Sequence, residues 1–545
     1  MFRAHYKLLF FVGILVLLVN CANRGTPSGG EKDMVPPKIL RSLPENYSTN
    51  FNATEVKIYF DEYIKIKNLQ KQLIVSPPMD PAPDIMPMGN ASKYITIKIN
   101  DTLRPNTTYS FNFGQSIVDN NEENPFPYFK YVFSTGSYID SLSVKGAIVD
   151  AEKREPETFV SVMLYEVDST YTDSTVYKTR PLYVTNTLDS VSTFSIDNIK
   201  AGKYRLIALK DENGNFTYEQ KSDKIGFYDQ EITVPDDSSF YEIKLFKEIA
   251  DFNMERPVQL AKQKIQFGYR GDPKSVSIEM LAPNKPSDFE QRIVRDAQKD
   301  TLYYWYKPNV ELDTTFFVVK NKTYTDTLKH RFRDLKADSL KITASISGTI
   351  NYDEDFSISG NIPFDALDLA KVSIMDKDSL AVDFKSELDT LNNTYRFKFD
   401  KTEANSYKIQ FLPDALTDFF GNVNDTLNYS VKTRQYSELS DVRVNLIDGE
   451  YPLIVQLTDN KGVVKYEQFA DEPRMFDFRH IVPGTYFLRV VYDTNGNRKW
   501  DTGNYLKKIQ PERISYRPDA IDARTGWDSI EEFRLLKTDP DQPKN

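Results

Sequence analysis

The sequence predicts a mostly β fold in which antiparallel β-sandwich domains follow one another in an elongated tandem array. First, apolar and polar residues alternate in short runs, as in "EVKIYF" (residues 55–60) and "YFLRVV" (residues 486–491). Such runs, bounded by Gly, Pro, Asn and Asp, are typical of strands and hairpins. Second, the 33 tyrosines and 35 phenylalanines suit half-buried strands, since aromatic rings pack well on a pleated surface. Third, the β pattern repeats along the chain.

The chain begins with the pattern of a secretory signal. Arg3 and Lys7 precede an apolar run from Leu8 to Val19, and this run is shorter than the about 20 residues that a membrane-spanning helix needs. We therefore predict that residues 1–20 are removed as a signal peptide. Residues 21–35, rich in Gly, Ser, Thr and Pro, are predicted to form a flexible tether.

Cys21 is the only cysteine in 545 residues and follows the apolar run closely. The sequence Leu18-Val19-Asn20-Cys21 resembles the lipobox of bacterial lipoproteins, although Asn20 stands where that pattern has a small residue. The resemblance implies that the Cys21 sulfur is diacylated and that Cys21 becomes the first residue of the mature chain. Because two acyl chains suffice for stable attachment, the anchor would be effectively permanent.

Composition argues against several classes of function. With Cys21 bound to lipid, the mature chain would have no thiol and therefore no disulfide, cysteine nucleophile or cysteine-based metal site. Removal of Arg3 and Lys7 with the signal changes the formal net charge from −10 to −12. This acidic balance argues against nucleic acid as a partner, since nucleic-acid binding needs a basic surface.

Two stretches of the chain repeat each other. "TFSIDNIKAGKYRLIALKDENGN" (residues 193–215) aligns without gaps on "MFDFRHIVPGTYFLRVVYDTNGN" (residues 475–497), at a single offset of 282 residues. A weaker pair, residues 107–125 and 405–423, lies upstream of the two copies. We therefore predict a two-domain unit that is used twice, with a further β segment between the copies.

The length fits such an arrangement, because 545 residues correspond to three to five domains at about 100–200 residues each. The predicted segments after the tether are 36–138, 139–249, 250–345, 346–436, 437–512 and a C-terminal extension at 513–545.

The first of these segments resembles a known family. "PPKILRSLPENYSTNFNATEVKIYFDEYI", followed by "LRPNTTYSFNF" and "YVFSTG", is similar to the SbsA-type bacterial Ig-like domain at the N-terminus of many Bacteroidota lipoproteins. The next segment, ending in "IKAGKYRLIALKDENGN", resembles the transthyretin-like or CNA-B-type sandwich, also called carboxypeptidase-regulatory-like. The resemblance implies Ig-like domains at 36–138 and 346–436, transthyretin-like domains at 139–249 and 437–512, and no common activity.

Both copies of the strong repeat end in a loop that has two interpretations. In the second copy, oxygen-bearing side chains have the spacing of a calcium loop at Asp493, Asn495, Asn497 and Asp501. The first copy repeats this spacing with Asp211, Asn213, Asn215 and Glu219. However, Gly496 is fourth rather than sixth and Asn504 replaces the bidentate Glu at position twelve. Asn-Gly is also a strong hairpin-turn signal, so both a turn and a metal site stay open.

Candidate catalytic residues are few. Without the signal peptide, His330 and His480 are the only histidines, and neither lies in a recognisable motif. His480 aligns with Asn198 in the first copy of the repeat, which indicates a tolerant position. Catalytic triads and histidine–metal sites need specific partner geometry that nothing here signals. We therefore predict no catalytic residue, no cofactor and no enzymatic activity.

Asp followed by Ser or Thr and then by Thr or an aliphatic residue is frequent in the chain. This pattern resembles the O-glycosylation acceptor of exported Bacteroidota proteins, but it also fits strand starts after turns, where Asp and Thr make local hydrogen bonds. Both interpretations place the residues on the surface. The aspartates are Asp101, Asp140, Asp168, Asp173, Asp189, Asp300, Asp313, Asp326, Asp338, Asp378, Asp389, Asp425 and Asp528.

These inferences predict a non-catalytic, outer-membrane-anchored lipoprotein that acts as a structural or protein-interaction module of the cell envelope. Its partners would be the membrane, through the Cys21 lipid, and envelope or surface proteins; the periplasmic and the cell-surface face of the outer membrane both stay open. The alternatives are a surface protein that binds or processes glycans, and an adhesin. Aromatic stacking in a glycan site could draw on Trp305, Trp500 and Trp527, the three tryptophans of the chain.

Overall fold

The computed structural model describes residues 33–188, 192–236, 239–281, 285–310 and 312–536. The predicted signal peptide, most of the tether and the lipidation site Cys21 lie outside these residues. The prediction of a mostly β fold of antiparallel sandwiches is confirmed, since nearly all regular structure is strand. None of the helices in the described part of the chain is long and apolar enough to span a membrane.

The chain divides into two compact units. Unit 1 contains the residues up to Ser141 together with Asn198–Lys200, and unit 2 contains Leu142–Asp197 and the residues from Ala201 onward. The described residues form five β-sandwiches, which we number in chain order; sandwich 1 belongs to unit 1, and the others belong to unit 2 apart from Asn198–Lys200.

Sandwich 1 shows how the period-two pattern builds a core. Val56, Ile58 and Phe60 point inward and are buried, while the residues between them face outward. Its elements are β1 (Ile39–Leu43), β2 (Glu55–Ile66), α1 (Leu69–Gln72), β3 (Ile74–Ser76), β4 (Asp84–Met86), β5 (Ser92–Lys98), β6 (Thr108–Asn112), β7 (Ile117–Asp119) and β8 (Lys130–Ser134). One sheet has the order β1-β2-β5-β4, with β7 paired to β2, and the other has the order β3-β6-β8.

Sandwich 2 contains the first copy of the strong repeat. Its elements are β9 (Leu142–Asp150), β10 (Ser161–Glu166), a 3-10 turn (Asp173–Tyr177), β11 (Tyr183–Asn186), β12 (Thr193–Ile199), β13 (Gly202–Lys210), β14 (Lys224–Phe227), β15 (Ile232–Val234) and β16 (Phe240–Leu245). One sheet has the order β11-β10-β13-β14, with β15 paired to β13. The other has the order β12-β9-β16, in which β16 runs parallel to β9.

Sandwich 3 occupies the segment for which the sequence suggests no family. Its strands are β17 (Asn253–Met254), β18 (Val258–Ala261), β19 (Lys264–Arg270), β20 (Ser277–Leu281), β21 (Glu290–Arg295), β22 (Thr301–Lys307), β23 (Thr314–Asn321) and β24 (Tyr324–Arg331). The sheets have the orders β17-β19-β22-β21, with β18 paired to β19, and β20-β23-β24. Phe267, Tyr304 and Phe317 pack edge to face between the sheets.

Sandwich 4 follows directly. Its elements are β25 (Ile342–Ala344), β26 (Gly348–Thr349), β27 (Phe356–Gly360), β28 (Phe364–Leu367), a 3-10 turn (Leu369–Lys371), β29 (Val372–Met375), β30 (Phe384–Asp389), β31 (Thr394–Phe399), β32 (Ser406–Phe411), β33 (Leu416–Asp418) and β34 (Leu427–Lys432). The two larger sheets have the orders β25-β27-β31-β30 and β26-β34-β32-β29, and β28 pairs with β33.

Sandwich 5 contains the second copy of the repeat. A 3-10 turn (Tyr436–Glu438) leads into β35 (Ser440–Ile447), β36 (Leu453–Thr458), β37 (Val464–Ala470), β38 (Met475–Ile481), β39 (Gly484–Tyr492), β40 (Ile514–Tyr516), β41 (Ile521–Ala523) and β42 (Asp528–Arg534). Residues 513–545 are predicted to be a C-terminal extension, but the described part of this segment contributes three strands to sandwich 5. Sequence periodicity could not assign β40 and β41, because strands of three residues are too short to show alternation.

The strong repeat is also a structural repeat. Sandwich 5 has the sheet orders β37-β36-β39-β40, with β41 paired to β39, and β38-β35-β42 with a parallel β35–β42 pair, which is the topology of sandwich 2. Phe194 and Phe476 are both buried at equivalent positions. Asn198 and His480 both have left-handed backbones, with φ of 60° and 54°. The weak repeat has equivalent contacts as well, since Thr135 and Thr433 accept hydrogen bonds from the backbone N–H groups of Thr107 (2.9 Å) and Asn405 (3.0 Å).

Asp119 organises one turn of sandwich 1. It is 2% exposed, and its carboxylate accepts hydrogen bonds from four backbone N–H groups, those of Asn121, Glu122, Glu123 and Asn124, at 2.7–3.0 Å. Burial alone would raise the pKa of Asp119, but these donors outweigh it and hold the pKa below its ordinary value. The charged form therefore stabilises the fold.

We expect Asp119→Asn to destabilise sandwich 1 by about 2 kcal/mol at neutral pH, because an amide has one acceptor oxygen and no charge. Because the pKa is lowered by folding, this difference is fully present above about pH 4 and shrinks as the pH falls through the lowered pKa. Urea unfolding of wild type and variant between pH 3 and pH 7 measures it. Glu45→Gln, at an exposed position, is the control, and an equal effect of both substitutions would contradict the assignment.

Candidate functional site at the seam of the repeated sandwiches

The two copies of the repeat contact each other. Residues 500–512 of sandwich 5, which we call the arm, run between β39 and β40 and pack against sandwich 2. Tyr505 at the centre of the arm is fully buried. Its ring packs edge to face on Phe227 with 5.4 Å between ring centroids, and its hydroxyl lies 3.2 Å from that of Tyr171. Sandwich 2 thus provides an aromatic socket for one side chain of sandwich 5.

A buried carboxylate holds the backbone of the arm. Glu248 is 4% exposed, and its carboxylate accepts hydrogen bonds from the backbone N–H of Tyr505 (2.5 Å), the Tyr218 hydroxyl (2.8 Å) and the Gln220 amide (2.9 Å). Burial, followed by the negative charge of Glu248, raises the pKa of Tyr218, so its hydroxyl keeps its proton and donates. These hydrogen bonds offset the cost of burying the carboxylate.

The edges of the arm are fastened by polar contacts. Lys508 Nζ lies 2.6 Å from the Asp173 carboxylate and 4.3 Å from the centroid of the Tyr505 ring. The Thr502 hydroxyl donates a hydrogen bond to the backbone oxygen of Lys247 at 2.7 Å. Between them, Gly503 lies so close to Phe246 that a β carbon would come within 2.7 Å of the ring. Only glycine therefore allows this approach.

The arm contains an insertion of seven residues in the second copy of the repeat. Ile207 and Arg489 occupy equivalent positions and pair with Phe227 and Tyr516, respectively. The chain takes 12 residues from Asn215 to Phe227 but 19 residues from the equivalent Asn497 to Tyr516. The arm was not predicted from the sequence, because the ungapped similarity of the two copies ends at Asn497. The signal that could have found it is this difference of seven residues before the next strand.

A second contact lies beside the arm. Arg489 of β39 is 7% exposed and donates from Nη1 to the backbone oxygen of Glu152 in sandwich 2 at 3.2 Å. The Tyr516 hydroxyl donates to the same oxygen. The contact surface between sandwiches 2 and 5, which we call the seam, therefore extends from the arm to strand β40.

The two Asp-x-Asn-Gly-Asn loops have one geometry. In the first loop, Asp211 accepts hydrogen bonds from the backbone N–H groups of Gly214 and Phe216, both at 2.7 Å. The side-chain amides of Asn213 and Asn215 donate to Glu219 at 2.9 and 2.8 Å. The second loop repeats these contacts with Asp493 as the acceptor and Asp501 as the partner of Asn495 and Asn497. The carboxylates are thus engaged within each turn, and the described residues contain no cluster of acids and histidines arranged for a metal.

This geometry leads to a prediction for metal removal. We expect a calcium chelator to leave the melting temperature of the protein unchanged, because each loop is closed by its own hydrogen bonds. Differential scanning calorimetry with and without chelator measures this. A fall in melting temperature that added calcium reverses would contradict the turn interpretation and support a calcium site.

Both histidines lie against aromatic rings. His330 is 5% exposed and lies against Phe317 and Phe332, and burial lowers its pKa. His480 stacks on Tyr436 with 4.2 Å between ring centroids and contacts Tyr352 of sandwich 4. Both side chains therefore serve packing, one in a core and one between sandwiches 4 and 5.

The three tryptophans have different surroundings. Trp305 is 1% exposed and fills a core position, whereas the Trp500 indole N–H donates to the backbone oxygen of Glu512 at 2.9 Å. Trp527 is 61% exposed, with the Arg524 guanidinium 5.3 Å from its ring. Of the three, Trp527 offers a ring face to solvent.

The hydroxyl residues of the Asp-Ser/Thr pattern are mostly on the surface. Thr301 is buried, and the Ser529 hydroxyl is shielded from solvent. Asp101 and Asp326 also accept hydrogen bonds from the backbone N–H of the next residue, as expected at turns. Asp189 lies outside the described residues. The exposed residues are Thr102, Ser141, Ser169, Ser174, Thr327, Ser339, Ser379, Thr390 and Thr426.

Comparison of the whole chain with known proteins gives weak structural likenesses. Surface layer protein SbsC (domains 1–6) is 11% identical, with 90% of this chain and 67% of that chain covered and a TM-score of 0.17. A titin I9–I11 tandem is 9% identical, with coverages of 52% and 100% and a TM-score of 0.12. A Salmonella alpha-2-macroglobulin is 11% identical, with coverages of 90% and 43% and a TM-score of 0.14. No curated protein matches the chain.

A family model matches one part of the chain. Residues 33–135 match the model of the bacterial Ig-like domain, Big_5. This range contains all strands of sandwich 1, from β1 to β8. Sandwich 1 therefore combines the sequence pattern of a bacterial Ig-like domain with two packed antiparallel sheets.

Proposed function

We propose that the protein is a non-catalytic scaffold of the bacterial cell envelope, anchored to the outer membrane through a lipid on Cys21 and holding partner proteins near that membrane. The observation that carries the proposal is the seam, in which the arm of sandwich 5 inserts Tyr505 into sandwich 2. The bacterial Ig-like match of sandwich 1 supports the same class of protein.

The seam joins the first and the last sandwich of unit 2. Sandwiches 3 and 4 share a buried cluster around Trp305 and Phe419, and sandwiches 4 and 5 meet at Tyr352 and His480. The arm then joins sandwich 5 back to sandwich 2. These contacts limit motion of the sandwiches relative to each other. A preorganised surface loses less entropy when a partner binds, which suits a scaffold.

Anchoring is tested by Cys21→Ala. We expect this substitution to abolish labelling by palmitate and to move the protein from the membrane fraction to the soluble fraction, because the lipid is the proposed attachment. Fractionation with labelled palmitate measures both. Cys21→Ser is a second variant that removes the same anchor. If either variant stays in the membrane as wild type does, the anchor and the placement are wrong.

Partner binding is tested by affinity capture from native membranes after cross-linking. We expect the wild-type protein to retain defined envelope proteins and the Cys21→Ala variant to lose them. Proteinase treatment of intact cells then distinguishes the cell-surface face from the periplasmic face. Capture of no stable partner by wild type would contradict the scaffold role.

Glycan binding is the second candidate function, and the exposed ring of Trp527 beside Arg524 favours it. Aromatic faces of this kind stack on apolar surfaces, including those of sugars. Glycan-array binding that disappears in Trp527→Ala but persists in Trp500→Ala would select this function over the scaffold.

A further inference from the structure

We propose that a cleft between sandwiches 2 and 5 binds a ligand that carries an oxyanion, a carboxylate or a phosphate, through Arg154 and Arg513. The cleft, which we call the seam cleft, has a volume of ≈ 380 Å³, within the range of about 300–1,000 Å³ that is typical of small-molecule sites. Val149 of sandwich 2 lines one wall, and Ile514 and Tyr516 of sandwich 5 line the other.

Both arginines are held in place without a carboxylate partner. The Arg154 guanidinium donates to the backbone oxygen of Pro518 and lies 5.2 Å from the centroid of the Phe487 ring. The Arg513 guanidinium donates to the backbone oxygen of Leu536 at 2.5 Å, and its Nε has no hydrogen-bond partner. Within the described ranges, neither forms a salt bridge, so each keeps N–H groups for a ligand.

The acidic residues of the cleft are engaged by other donors. Asp150 accepts hydrogen bonds from the backbone N–H groups of Glu152 and Lys153 and pairs with Lys224 at 2.6 Å. The Glu512 carboxylate accepts hydrogen bonds from the backbone N–H groups of Thr494 at 2.8 Å and Asp501 at 3.0 Å. Lys224 therefore compensates the charge of Asp150, whereas Glu512 is bonded to neutral donors and keeps its negative charge beside Arg513. Glu242 and Lys244, which also line the cleft, add one charge of each sign.

A third guanidinium lies behind the cleft wall. Arg489 is 7% exposed, and its donors reach the Gln456 side chain at 2.5 Å, the Glu152 backbone oxygen and the Tyr516 hydroxyl at 3.4 Å. All three acceptors are neutral. Because a buried charge is poorly screened, Arg489 adds positive potential next to the cleft. Arg154, Arg513, Lys244 and Arg489 thus outnumber the acids Glu242 and Glu512, which leaves a local excess of positive charge in a chain with a net charge of −10.

The chemistry of these groups defines the ligand class. The planar guanidinium fork matches the two oxygens of a carboxylate or phosphate. Val149, Ile514 and Leu536 add apolar lining that suits a hydrocarbon part of the same ligand. A free small acid and the headgroup of an acidic phospholipid both present this oxyanion. Since Arg154 and Arg513 come from different sandwiches, bound ligand would bridge the seam and raise its stability.

The test uses the full chain and isothermal titration with inorganic phosphate, succinate and, as a neutral control, glycerol. Vesicles of phosphatidylglycerol are compared with vesicles of phosphatidylcholine. We expect saturable binding of at least one anionic probe, a higher melting temperature on binding, and affinity at least tenfold lower in the double variant Arg154→Gln/Arg513→Gln. Arg443→Gln is the matched control, because that guanidinium pairs with Asp477 on an exposed sheet face.

The outcomes distinguish a free oxyanion from a phospholipid headgroup, and both from a proposal that is wrong. Phosphate or succinate binding that the double variant loses supports a free oxyanion as ligand. Binding to phosphatidylglycerol vesicles alone, with the same loss, supports a headgroup. Arg154→Gln, at an exposed position, replaces the double variant if that does not fold. Absence of binding to every anionic probe, or equal affinity of wild type and the arginine variant, overturns the proposal. All measurements use the Cys21→Ala form of the full chain, so no lipid can hold the protein on a vesicle and the test is independent of the Cys21 anchor.

Discussion

Replacing Tyr505 with alanine is expected to cost about 3–5 kcal/mol of stability at the seam, which is the usual cost of removing a fully buried aromatic side chain. The substitution removes the ring contacts with Phe227 and Tyr177 and the hydroxyl contact with Tyr171. It also leaves a cavity in the socket of sandwich 2. The arm should therefore detach while each sandwich keeps its own core.

Hydrogen exchange followed by mass spectrometry measures this effect segment by segment. Faster exchange is expected in the arm and in β14 (Lys224–Phe227), with little change in sandwich 3, because the lost contacts lie in sandwiches 2 and 5. Tyr505→Phe should cost about 1 kcal/mol, because it removes one hydrogen bond and keeps the ring. Leu506→Ala, at a position that is 54% exposed, is the control. Unchanged exchange of the arm in Tyr505→Ala would contradict the role of Tyr505 in holding the arm on sandwich 2.

Trp305→Ala is expected to destabilise the contact between sandwiches 3 and 4 by about 3–5 kcal/mol. Trp305 is 1% exposed and packs with Val294 of sandwich 3 and with Ile362 and Phe419 of sandwich 4. The Trp305 indole N–H has no hydrogen-bond partner, so its contribution comes from apolar contact. The Lys264 ammonium, 4.8 Å from its ring, adds a smaller attraction.

Chemical unfolding monitored by hydrogen exchange in residues 250–436 measures the loss. Trp305→Phe should cost less, because a smaller ring still fills much of the site and no hydrogen bond is lost. Trp527→Ala removes the same side chain from a position that is 61% exposed and should leave stability nearly unchanged. Equal effects of Trp305→Ala and Trp527→Ala would contradict the proposed role of this cluster.

The two copies of the duplicated sandwich have different roles at the seam. Sandwiches 2 and 5 share topology, but only the arm of sandwich 5 is lengthened, so one copy inserts a side chain and the other receives it. Sandwiches 3 and 4 lie between them in the chain. The contact therefore joins residues more than 250 positions apart, as Glu248 and Tyr505 show. Bringing residues so far apart in the sequence into contact costs conformational entropy. The burial of Tyr505 in sandwich 2 must offset this cost.

Several features of the candidate sites were predictable and others were not. The repeat at residues 193–215 and 475–497 appears in equivalent strands, because identical spacing of inward-facing residues requires the same register. The two meanings of the Asp493 loop could not be separated by spacing, since a turn and a calcium loop use the same residue types. The sequence contains no pattern that predicts the seam cleft, because Arg154 and Arg513 are distant in sequence and each resembles an ordinary surface arginine.

By itself, the sequence determined the β class, the duplicated sandwich and the single cysteine that could carry a lipid. These properties depend on local alternation, on ungapped similarity and on composition. All three can be read from the order of the residues without knowledge of the fold. Only the tertiary structure decided that Tyr505 is buried in sandwich 2, that Glu248 holds the arm and that two arginines face one cleft. Those contacts arise where surfaces far apart in sequence pack together, and local patterns do not encode which surfaces meet.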